Sequence, residues 1–403
     1  MSPASLPARH KHSSPNVPAV LLTRRGMERW RNGHPWIYRS DLKKDPGLPG
    51  GEAVAVLDER GWFLGKAFYS SQSKISLRWL THEDVPIDAD FFLARIRQAD
   101  ALRQHLFPGE STYRVIHSEA DLIPGLVVDR YGDYLSVQFL VKATEDRKEL
   151  LADLLAQHFA CKGLVNRSDT SVRFLEGLEP EMGLMRGEVP PKVSYREGSI
   201  AFEADLLNGQ KTGAFLDQRE NHLLSAQFAG GEALDCFAYL GGFALQLATR
   251  ARHVTAVEIS EPAVALLKES AAANGLQNVE AIAANAFDYL RDAVDEGKRY
   301  DAVVLDPPSF AKRKDAIDAA VRGYKEINLR AIQLLNRGGY LITSSCSHHV
   351  SEEAFEALLE SAAADARRRV QIVEKRGASR DHPVLLNLRE TRYLKCFVLR
   401  VPE

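Results

Sequence analysis

Two side chains that can do chemistry each follow an apolar run typical of a buried strand. Cys346 lies in the serine-rich segment SSCS directly after residues 339–343, and Asp306 directly follows the run AVVL at residues 302–305. In an open α/β sheet, the carboxyl ends of the strands line the ligand crevice. We therefore expect the thiol and the carboxylate to work at one edge of a sheet, where they could add covalently to a flat, electron-poor ring.

A pyrimidine base is the ring that best fits this pair. A thiolate bonded to carbon 6 breaks the aromaticity of the ring and makes carbon 5 nucleophilic toward a methyl donor. Asp306 could hold or protonate N3. The alternatives are a structural cysteine at a strand end and a carboxylate that caps the Pro307-Pro308 turn. The polar serines around Cys346 favour the nucleophile.

The region from residue 194 onward alternates strands with helices. Alternation of this kind predicts a parallel sheet covered by helices on both faces. The predicted strands are residues 233–237, 253–259, 279–283, 301–305 and 340–343, and the predicted helices are residues 261–274, 318–335 and 352–368. Two last strands, at residues 370–375 and 393–401, predict a closing antiparallel hairpin.

A second group of residues is typical of a nucleotide-like ligand. Gly241 and Gly242 follow the first strand of this region, where backbone must approach the ligand closely, although the segment is not the dinucleotide fingerprint G-x-G-x-x-G. Glu258 ends the next strand and could accept both ribose hydroxyls, or could only complement a helix N-terminus. Asn285 follows the third strand and could face an adenine amino group or act as a cap.

The rest of the chain predicts two further parts after a disordered tail at residues 1–18. Residues 19–80 form a β-rich module with a hairpin of strands 52–57 and 62–68, and residues 81–193 form an α+β part. In the latter we predict helices at residues 90–107 and 145–159 and strands at residues 113–116, 126–129, 134–141, 163–167 and 172–175.

Charge points to an RNA partner for the N-terminal end. Residues 1–80 hold 13 Lys and Arg against 6 Asp and Glu, about +7, whereas the whole chain has a net charge of −2. Basic residues there alternate with aromatic ones, which suits stacked bases and phosphates. Aromatic side chains also fill the cores of small barrels, so these aromatic residues could instead serve only to pack the domain.

Composition limits the class of protein. With 45% hydrophobic and 26% charged residues in 403, the chain is typical of soluble globular proteins. It has no run of about 18 apolar residues that could span a bilayer. Its four dispersed cysteines contain no CxxC pair, which predicts no zinc or other metal site and fits a reducing cytoplasm.

Six segments together resemble a known family. They are GHPWIY at residues 33–38, NGQKTGAFLDQR at 208–219, DCFAYLGGF at 235–243, DPPSF at 306–310, GYKEIN at 323–328 and SSCS at 344–347. The set is similar to class I S-adenosylmethionine-dependent methyltransferases, and more closely to the bacterial 23S ribosomal RNA cytosine-C5 methyltransferases with an N-terminal PUA domain. The resemblance implies a small β-barrel PUA domain, a middle α+β domain and a Rossmann-like α/β methyltransferase domain.

The resemblance also implies roles for particular residues. Cys346 is the expected nucleophile, with Asp306 as the second catalytic residue. The residues expected to bind S-adenosyl-L-methionine are Gln218, Asp235, Phe237, Tyr239, Gly241, Glu258, Ile259, Asn285, Ala286 and Asp306, although Gln218 could equally contact the target base. The family usually carries Asp where Asn285 stands and often Lys where Ser309 stands. Candidate contacts to RNA phosphates are Lys211, Arg219 and Lys325, each of which could equally be solvated surface.

The expected partner is 23S ribosomal RNA or a large-subunit precursor, with no membrane contact, and the resemblance allows a homodimer. Three alternatives stay open. A methyltransferase of exocyclic amines would place an aromatic residue where Ser309 stands and needs no thiol. Uracil carbon 5 accepts the same attack as cytosine. A non-catalytic RNA-binding protein could retain the fold without the reaction.

Overall fold

The computed structural model describes residues 17–209, 212–310 and 317–402. The chain divides into two compact units, and neither is continuous in sequence. The first ends at Tyr195 but also takes in residues 204–215 and 381–391, and the second holds residues 196–203, 216–380 and 392–403. The predicted domain boundaries at residues 80 and 193 stay predictions, and most of the predicted tail lies outside the described residues.

The N-terminal part of the first unit is a five-stranded sheet with one helix. Its elements are β1 (Ala19–Leu21), α1 (Arg24–Arg31), β2 (Trp36–Tyr38), β3 (Ala53–Leu57), β4 (Phe63–Tyr69) and β5 (Ile75–Thr81). The strand order is β1-β3-β4-β5-β2. Strands β3 and β4 pair antiparallel, which confirms the predicted hairpin.

A second five-stranded sheet follows in the same unit, with the order β10-β9-β8-β7-β6. Its elements are α2 (Ala89–Leu106), β6 (Thr112–His117), β7 (Leu126–Tyr131), β8 (Tyr134–Phe139), α3 (Lys142–Glu145), α4 (Lys148–Phe159), β9 (Gly163–Ser168) and β10 (Glu181–Gly187). The helix predicted over residues 145–159 is present as α4, which begins three residues later, and the separate four-residue helix α3 precedes it.

The strand predicted at residues 172–175 is wrong, because Ser171–Glu176 forms a 3₁₀ helix. The cause is tertiary. Arg173 is buried, its Nε donates to the Glu179 carbonyl at 2.8 Å, and its guanidinium pairs with Glu145 at 2.9 Å. The sequence shows the arginine but not its burial, and a buried charge must be paired wherever it lies.

The chain then forms the hairpin strands β11 (Val193–Glu197) and β12 (Ile200–Ala204), which pair with each other. The elements that follow belong to the second unit. They are α5 (Arg219–Ser225), β13 (Glu232–Cys236), α6 (Gly242–Ala248), β14 (His253–Glu258), α7 (Glu261–Ala273), β15 (Val279–Ala283), α8 (Ala286–Asp295), β16 (Tyr300–Leu305), α9 (Ile317–Leu334), β17 (Leu335–Ser345), α10 (Glu352–Asp365), β18 (Gln371–Arg376) and β19 (Lys395–Arg400).

The sheet of the second unit has seven strands in the order β15-β14-β13-β16-β17-β19-β18. The first five are parallel, and β19 pairs antiparallel with both β17 and β18. This confirms the predicted parallel sheet and its closing hairpin. The chain proceeds outward from β13 through β14 to β15 and then resumes on the other side of β13 with β16. The topological switch point thus lies at β13 and β16, where open α/β sheets bind ligands.

Local sequence explains how the helices begin. Ser260 and Ser351 cap α7 and α10, each with its hydroxyl accepting a backbone N–H in the first turn, and Asn285 caps α8 in the same way. Caps of these types satisfy donors that a helix leaves unpaired. In the described ranges, no helix combines the length and the apolar character that crossing a membrane requires.

Candidate active site

The loop after β13 has an unusual backbone. Phe237 and Tyr239 have φ of 67° and 47°, and Gly241 has φ of 86°. A left-handed conformation costs a residue with a side chain about 1–2 kcal/mol, and such residues cluster at ligand sites. A Cβ on Gly241 would lie 2.9 Å from Leu267, and one on Gly242 would lie 2.4 Å from the ring of His222. The glycines therefore allow helix α6 to begin close against its neighbours.

Asp235, at the penultimate position of β13, is buried and carries an unsatisfied atom. Its Oδ1 has no hydrogen-bond partner among the described residues. Burial and the charge of Asp306 raise the pKa of Asp235 to about 8, against the opposing effects of His222 and the backbone N–H of Ala244.

Glu258 joins two loops at the end of β14. Its Oε2 accepts the backbone N–H of Tyr239 at 3.0 Å, and its Oε1 accepts that of Ser260 at 2.9 Å. A carboxylate has about four acceptor positions, so both oxygens can take further hydroxyl donors. The next side chain, Ile259, is 70% exposed, which leaves an apolar surface beside the carboxylate for a ligand to cover.

The third strand end contributes Asn285 and Ala286. The Asn285 side chain accepts the backbone N–H of Phe287 at 2.9 Å and is exposed, so the cap that the sequence offered as an alternative is present. Ala286 is buried at the start of α8. A contact between Asn285 and adenine stays a prediction.

Asp306 is held by a chain of hydrogen bonds. The Gln218 Nε2 donates to Asp306 Oδ1 at 2.8 Å, and the Gln218 Oε1 accepts from Asn221 Nδ2 at 2.7 Å. Asn221 in turn accepts from Arg376 Nε at 2.7 Å and donates to the Gly377 carbonyl at 3.1 Å. Because Gln218 and Asn221 are both buried, this chain fixes the carboxylate at the end of β16. The sequence pointed to Gln218 but gave no sign of Asn221.

The structure brings Cys346 to the segment that begins with Asp306. Cys346 is half-buried, and its Sγ lies 4.0 Å from the Pro307 carbonyl oxygen. The next side chain, Ser347, is buried, and its hydroxyl lies 3.0 Å from that of Ser309 and 2.9 Å from that of Tyr324. The predicted approach of the two strand ends is thus present.

A buried ammonium group lies beside the thiol. Lys395, on β19, donates to the carbonyls of Ser347 at 2.7 Å and Tyr393 at 2.9 Å. Burial lowers the pKa of Lys395 to about 8, whereas the charges of Cys346 and Glu352 raise it. Lys395 is thus held at the carbonyl of the residue that follows Cys346, and an ammonium near a thiol favours the thiolate. Sequence reasoning missed this residue.

Aromatic side chains surround the β13 and β16 ends. Phe310 packs against Tyr324 with a centroid distance of 4.6 Å and against Phe287 at 5.7 Å, and Phe237 lies 6.2 Å from Phe287. All but Tyr324 are partly exposed. Phe287 was not singled out from the sequence, since a lone aromatic residue in a helix reads as core.

The three candidate RNA contacts have different settings. Lys211 lies outside the described residues. Arg219 is 3% exposed at the start of α5, so its burial disfavours a contact with RNA in this arrangement. Lys325, on α9, pairs with Asp365 at 2.6 Å and keeps about a third of its side-chain surface exposed. The RNA contacts of all three stay predictions.

Comparison with known proteins agrees with this geometry. Residues 20–82 match a PUA-like domain, and residues 182–394 match the S-adenosylmethionine-dependent methyltransferase family. A Vibrio cholerae protein named ribosomal RNA large subunit methyltransferase I is 40% identical over 96% of this chain and 100% of its own length. A Tolumonas auensis protein of the same name is 39% identical over 91% of this chain and 95% of its own length.

Two solved structures share the fold. A putative methyltransferase complexed with SAH is 22% identical with a TM-score of 0.83, and a putative SAM-dependent methyltransferase from Streptococcus mutans is 21% identical with a TM-score of 0.81. Each comparison covers 96% of this chain and all of the other chain.

Fold and site together define an S-adenosylmethionine-dependent methyltransferase with a PUA-like domain at its N-terminal end. The family match covers more than half of the chain, and the curated relatives match along almost all of it. The chain belongs to the family of the ribosomal RNA large subunit methyltransferase I proteins.

The residues present fit the cofactor. S-Adenosylmethionine carries a sulfonium and an ammonium charge, and the crevice offers the carboxyl groups of Asp235, Asp306 and Glu258 with an unsatisfied oxygen on Asp235. Glu258 retains acceptor capacity for ribose hydroxyls. These residues would hold the cofactor, and the left-handed loop after β13 supplies backbone groups at the same edge.

Proposed function

We propose that this protein transfers a methyl group to carbon 5 of a cytidine in large-subunit ribosomal RNA through a transient bond between Cys346 and carbon 6. The observation that carries the proposal is the half-buried thiol of Cys346, 4.0 Å from the carbonyl that follows Asp306 and beside the ammonium of Lys395. We infer the substrate class from the relatives, whose name specifies ribosomal RNA of the large subunit.

The reaction begins at the sulfur. Lys395 stabilises the Cys346 thiolate, which attacks carbon 6 of the extruded base. The new carbon–sulfur bond moves the electron pair of the 5,6 double bond onto carbon 5. S-Adenosylmethionine supplies the electrophilic methyl group for that carbon. Since a methyl donor of this kind needs an electron-rich acceptor, covalent addition by the chain is what makes an otherwise weak ring carbon reactive.

Asp306 acts on the ring nitrogen. Attack at carbon 6 places negative charge on N3 and O2, and a proton held between Asp306 and N3 spreads that charge. Gln218 fixes the carboxylate through its hydrogen bond at 2.8 Å, so little reorganisation is needed when the base enters. Cytosine suits this contact because its N3 can accept a proton, whereas uracil carries a hydrogen there.

Release reverses the first step. A base removes the proton from carbon 5, the 5,6 double bond re-forms, and the sulfur leaves carbon 6 as the thiolate. Asp306 or a water molecule can take that proton. Bacterial ribosomal RNA is made in the cytoplasm, so we infer that the protein acts there. A homodimer stays a prediction.

Transfer of tritium from labelled cofactor to ribosomal RNA tests the proposal. We expect the wild type to label large-subunit RNA, Cys346→Ala to lose the activity by at least about a thousandfold, and Cys161→Ala, which removes the other half-buried thiol, to stay within about twofold. Nucleoside analysis of the product separates 5-methylcytidine from 5-methyluridine and from methylated exocyclic amines.

Each outcome has a defined meaning. Full activity in Cys346→Ala would exclude covalent catalysis by this thiol while leaving the methyltransferase family unaffected. Detection of labelled 5-methyluridine would support attack by the thiol but would show that the target base is uracil and not cytosine. A wild type that binds the RNA without transferring methyl would favour a binding protein that only retains the fold.

A further inference from the structure

A cavity of about 740 Å³ opens at the other end of the sheet in the second unit, away from the candidate active site. Five of its eight lining residues are arginines, and they come from three separate segments of the chain. The lining residues are Arg299, Leu335, Asn336, Arg337, Ala366, Arg367, Arg368 and Arg369. We call this the arginine pocket.

Strand direction places the arginine pocket. Strand β16 runs from Tyr300, next to Arg299, to Leu305, next to Asp306. Six residues of strand span about 20 Å. The neighbouring parallel strand β17 likewise begins in the pocket at Leu335. The arginine pocket therefore lies at the amino ends of strands whose carboxyl ends form the active site, and both regions can be occupied at once.

Three of the five arginines in the pocket carry charges that no carboxylate of the described residues pairs with. In the part of the chain that the structure describes, no ion pair joins Arg299, Arg337 or Arg367 to a carboxylate. The Asp301 carboxylate beside the pocket already accepts from Asn336 Nδ2 at 2.8 Å and from the Glu232 backbone N–H at 2.9 Å. Three unpaired charges of one sign around one cavity favour the binding of an anion.

The charges of Arg299 and Arg337 also act on Arg368. Burial lowers the pKa of Arg368, and the charges of Arg299 and Arg337 lower it further. Its Nη1 donates to the carbonyls of Leu335 at 2.6 Å and Ile332 at 3.3 Å, which satisfies the end of α9. Arg368 thus has a structural role, whereas Arg299, Arg337 and Arg367 are exposed at the rim.

Arg367 occupies a position that favours glycine. It has φ of 54°, and it follows α10 in a turn where its N–H donates to Ala364 at 3.0 Å and the N–H of Arg368 donates to Ala363 at 3.1 Å. Glycine is the usual residue at this point of such a helix end, because it alone adopts a left-handed backbone without strain. A cation just after a helix C-terminus is itself favourable, and the exposed guanidinium of Arg367 also offers paired donors to an anion.

We propose that the arginine pocket binds backbone phosphates of the RNA substrate. Guanidinium groups bind phosphate oxygens in pairs with good geometry, and a rim of several arginines matches successive phosphates better than it matches one small anion. With a net charge of −2 for the whole chain, attraction to RNA must come from local clusters of this kind. The inference rests on the proposed function for the identity of the RNA.

The test compares two doubly substituted proteins that each lose two positive charges. Arg337→Ala/Arg367→Gly changes the pocket, and Arg250→Ala/Arg291→Ala changes exposed arginines of the same unit outside it. Binding of a large-subunit ribosomal RNA fragment is measured over a range of salt concentrations. We expect the pocket variant to lose about tenfold in affinity near 0.1 M salt and to lower the slope of log K against log salt by about 1.5, and the control to change by less than threefold.

Further measurements distinguish RNA from a small polyphosphate as the ligand and test whether weaker binding could come from unfolding. Inorganic triphosphate should compete with RNA only weakly. Strong triphosphate binding lost in the pocket variant, with RNA affinity unchanged, would overturn the inference in favour of a small polyphosphate. The single Arg367→Gly variant should melt no lower than the wild type, so its weaker RNA binding cannot come from unfolding. Equal RNA binding by the pocket and control variants would also overturn the inference.

The binding assay does not depend on methyl transfer. If the wild type binds ribosomal RNA through the pocket but forms no methylated base, the proposed function fails and the pocket inference stands. If methyl transfer proceeds with unchanged KM for RNA in the pocket variant, the inference fails and the proposed function stands.

Discussion

The ammonium group of Lys395 donates a hydrogen bond of 2.7 Å to the backbone carbonyl of Ser347, the residue after Cys346. Sheet register fixes this relationship, since Lys395 pairs with Ser345 across the antiparallel strands β19 and β17. Two main-chain carbonyls, those of Ser347 and Tyr393, therefore hold the positive charge next to the segment that carries the thiol.

Removing that charge should reduce the reactivity of the thiol. In a Cys161→Ser background, we expect Lys395→Met to lower the rate of Cys346 alkylation by iodoacetamide at pH 7 about tenfold and to move its pH profile toward alkaline pH, because the thiolate loses its neighbouring cation. The other groups that bear on the site, Tyr324 and Glu352, are unchanged.

Lys375→Met serves as the matched control for this experiment. Its ammonium is on β18 and pairs with Glu356 at the surface, so the alkylation profile should equal that of the wild type. Identical profiles for Lys395→Met and the wild type would show that the ammonium has no part in activating the sulfur.

The hydrogen bond from Gln218 to Asp306 should matter for the rate rather than for cofactor binding. Gln218→Leu keeps the approximate volume but removes the donor on a charged acceptor, which is worth about 1.5–3 kcal/mol. We expect kcat to fall about tenfold to a hundredfold, with the KM for the cofactor within about threefold, measured by steady-state methyl transfer. A large change in KM with unchanged kcat would instead assign Gln218 to cofactor binding.

Asp235 should make the cofactor-free protein less stable as pH rises. Its pKa of about 8 in the folded chain lies above the value of about 3.9 for an unfolded one. Between these two values the unfolded chain releases the proton and the folded chain retains it, so stability falls as pH increases from about 4 to about 8.

Substitution Asp235→Asn should flatten that dependence. At pH 8 we expect the variant to gain more than about 1 kcal/mol in free energy of unfolding, measured with denaturant in the absence of cofactor, and to bind the cofactor more weakly. Asp288→Asn, at an exposed position of α8, is the control and should change neither quantity. A variant less stable than the wild type at pH 8 would contradict the raised pKa of Asp235.

Gly242 should not tolerate a side chain. A Cβ there would lie 2.4 Å from the ring of His222, which is itself buried against Phe243 and bonded to Glu197 at 2.7 Å. We expect Gly242→Ala to lower the free energy of unfolding by about 1–3 kcal/mol. Gly230→Ala, where no atom lies within 4 Å of a Cβ, should be close to neutral in the same thermal or denaturant measurement.

Sequence patterns predicted the second unit well, because its elements are long and their signals are local. Apolar runs predicted the strands, and residues at strand ends such as Cys346, Asp306 and Glu258 could be identified as candidates from position alone. The first unit was harder to predict. Residues 172–175 form a 3₁₀ helix in which the buried Arg173 bonds to Glu145 and to the carbonyls of Phe139 and Glu179.

Residues whose importance depends on long-range contacts were not predictable. Lys395 reads as an ordinary strand lysine, and only the pairing of β19 with β17 brings it to the thiol. Asn221 acts on Asp306 through Gln218, which no spacing in the chain encodes. The arginine pocket is formed by three segments, from the amino ends of two strands and the end of α10. The sequence shows the run 367–369 of three arginines, but only the fold brings Arg299 and Arg337 to it.

Trapping the covalent intermediate tests the central claim most directly. RNA that carries 5-fluorocytidine should accept the methyl group but cannot lose a proton from carbon 5, so the bond to the enzyme should persist. We predict a denaturation-resistant protein–RNA complex that forms only with cofactor present, a cross-link that mass spectrometry assigns to Cys346, and the same complex with Cys161→Ala but none with Cys346→Ala. A complex that persists in Cys346→Ala, or a wild type that methylates cytidine yet forms no complex with the fluorinated RNA, would contradict the account.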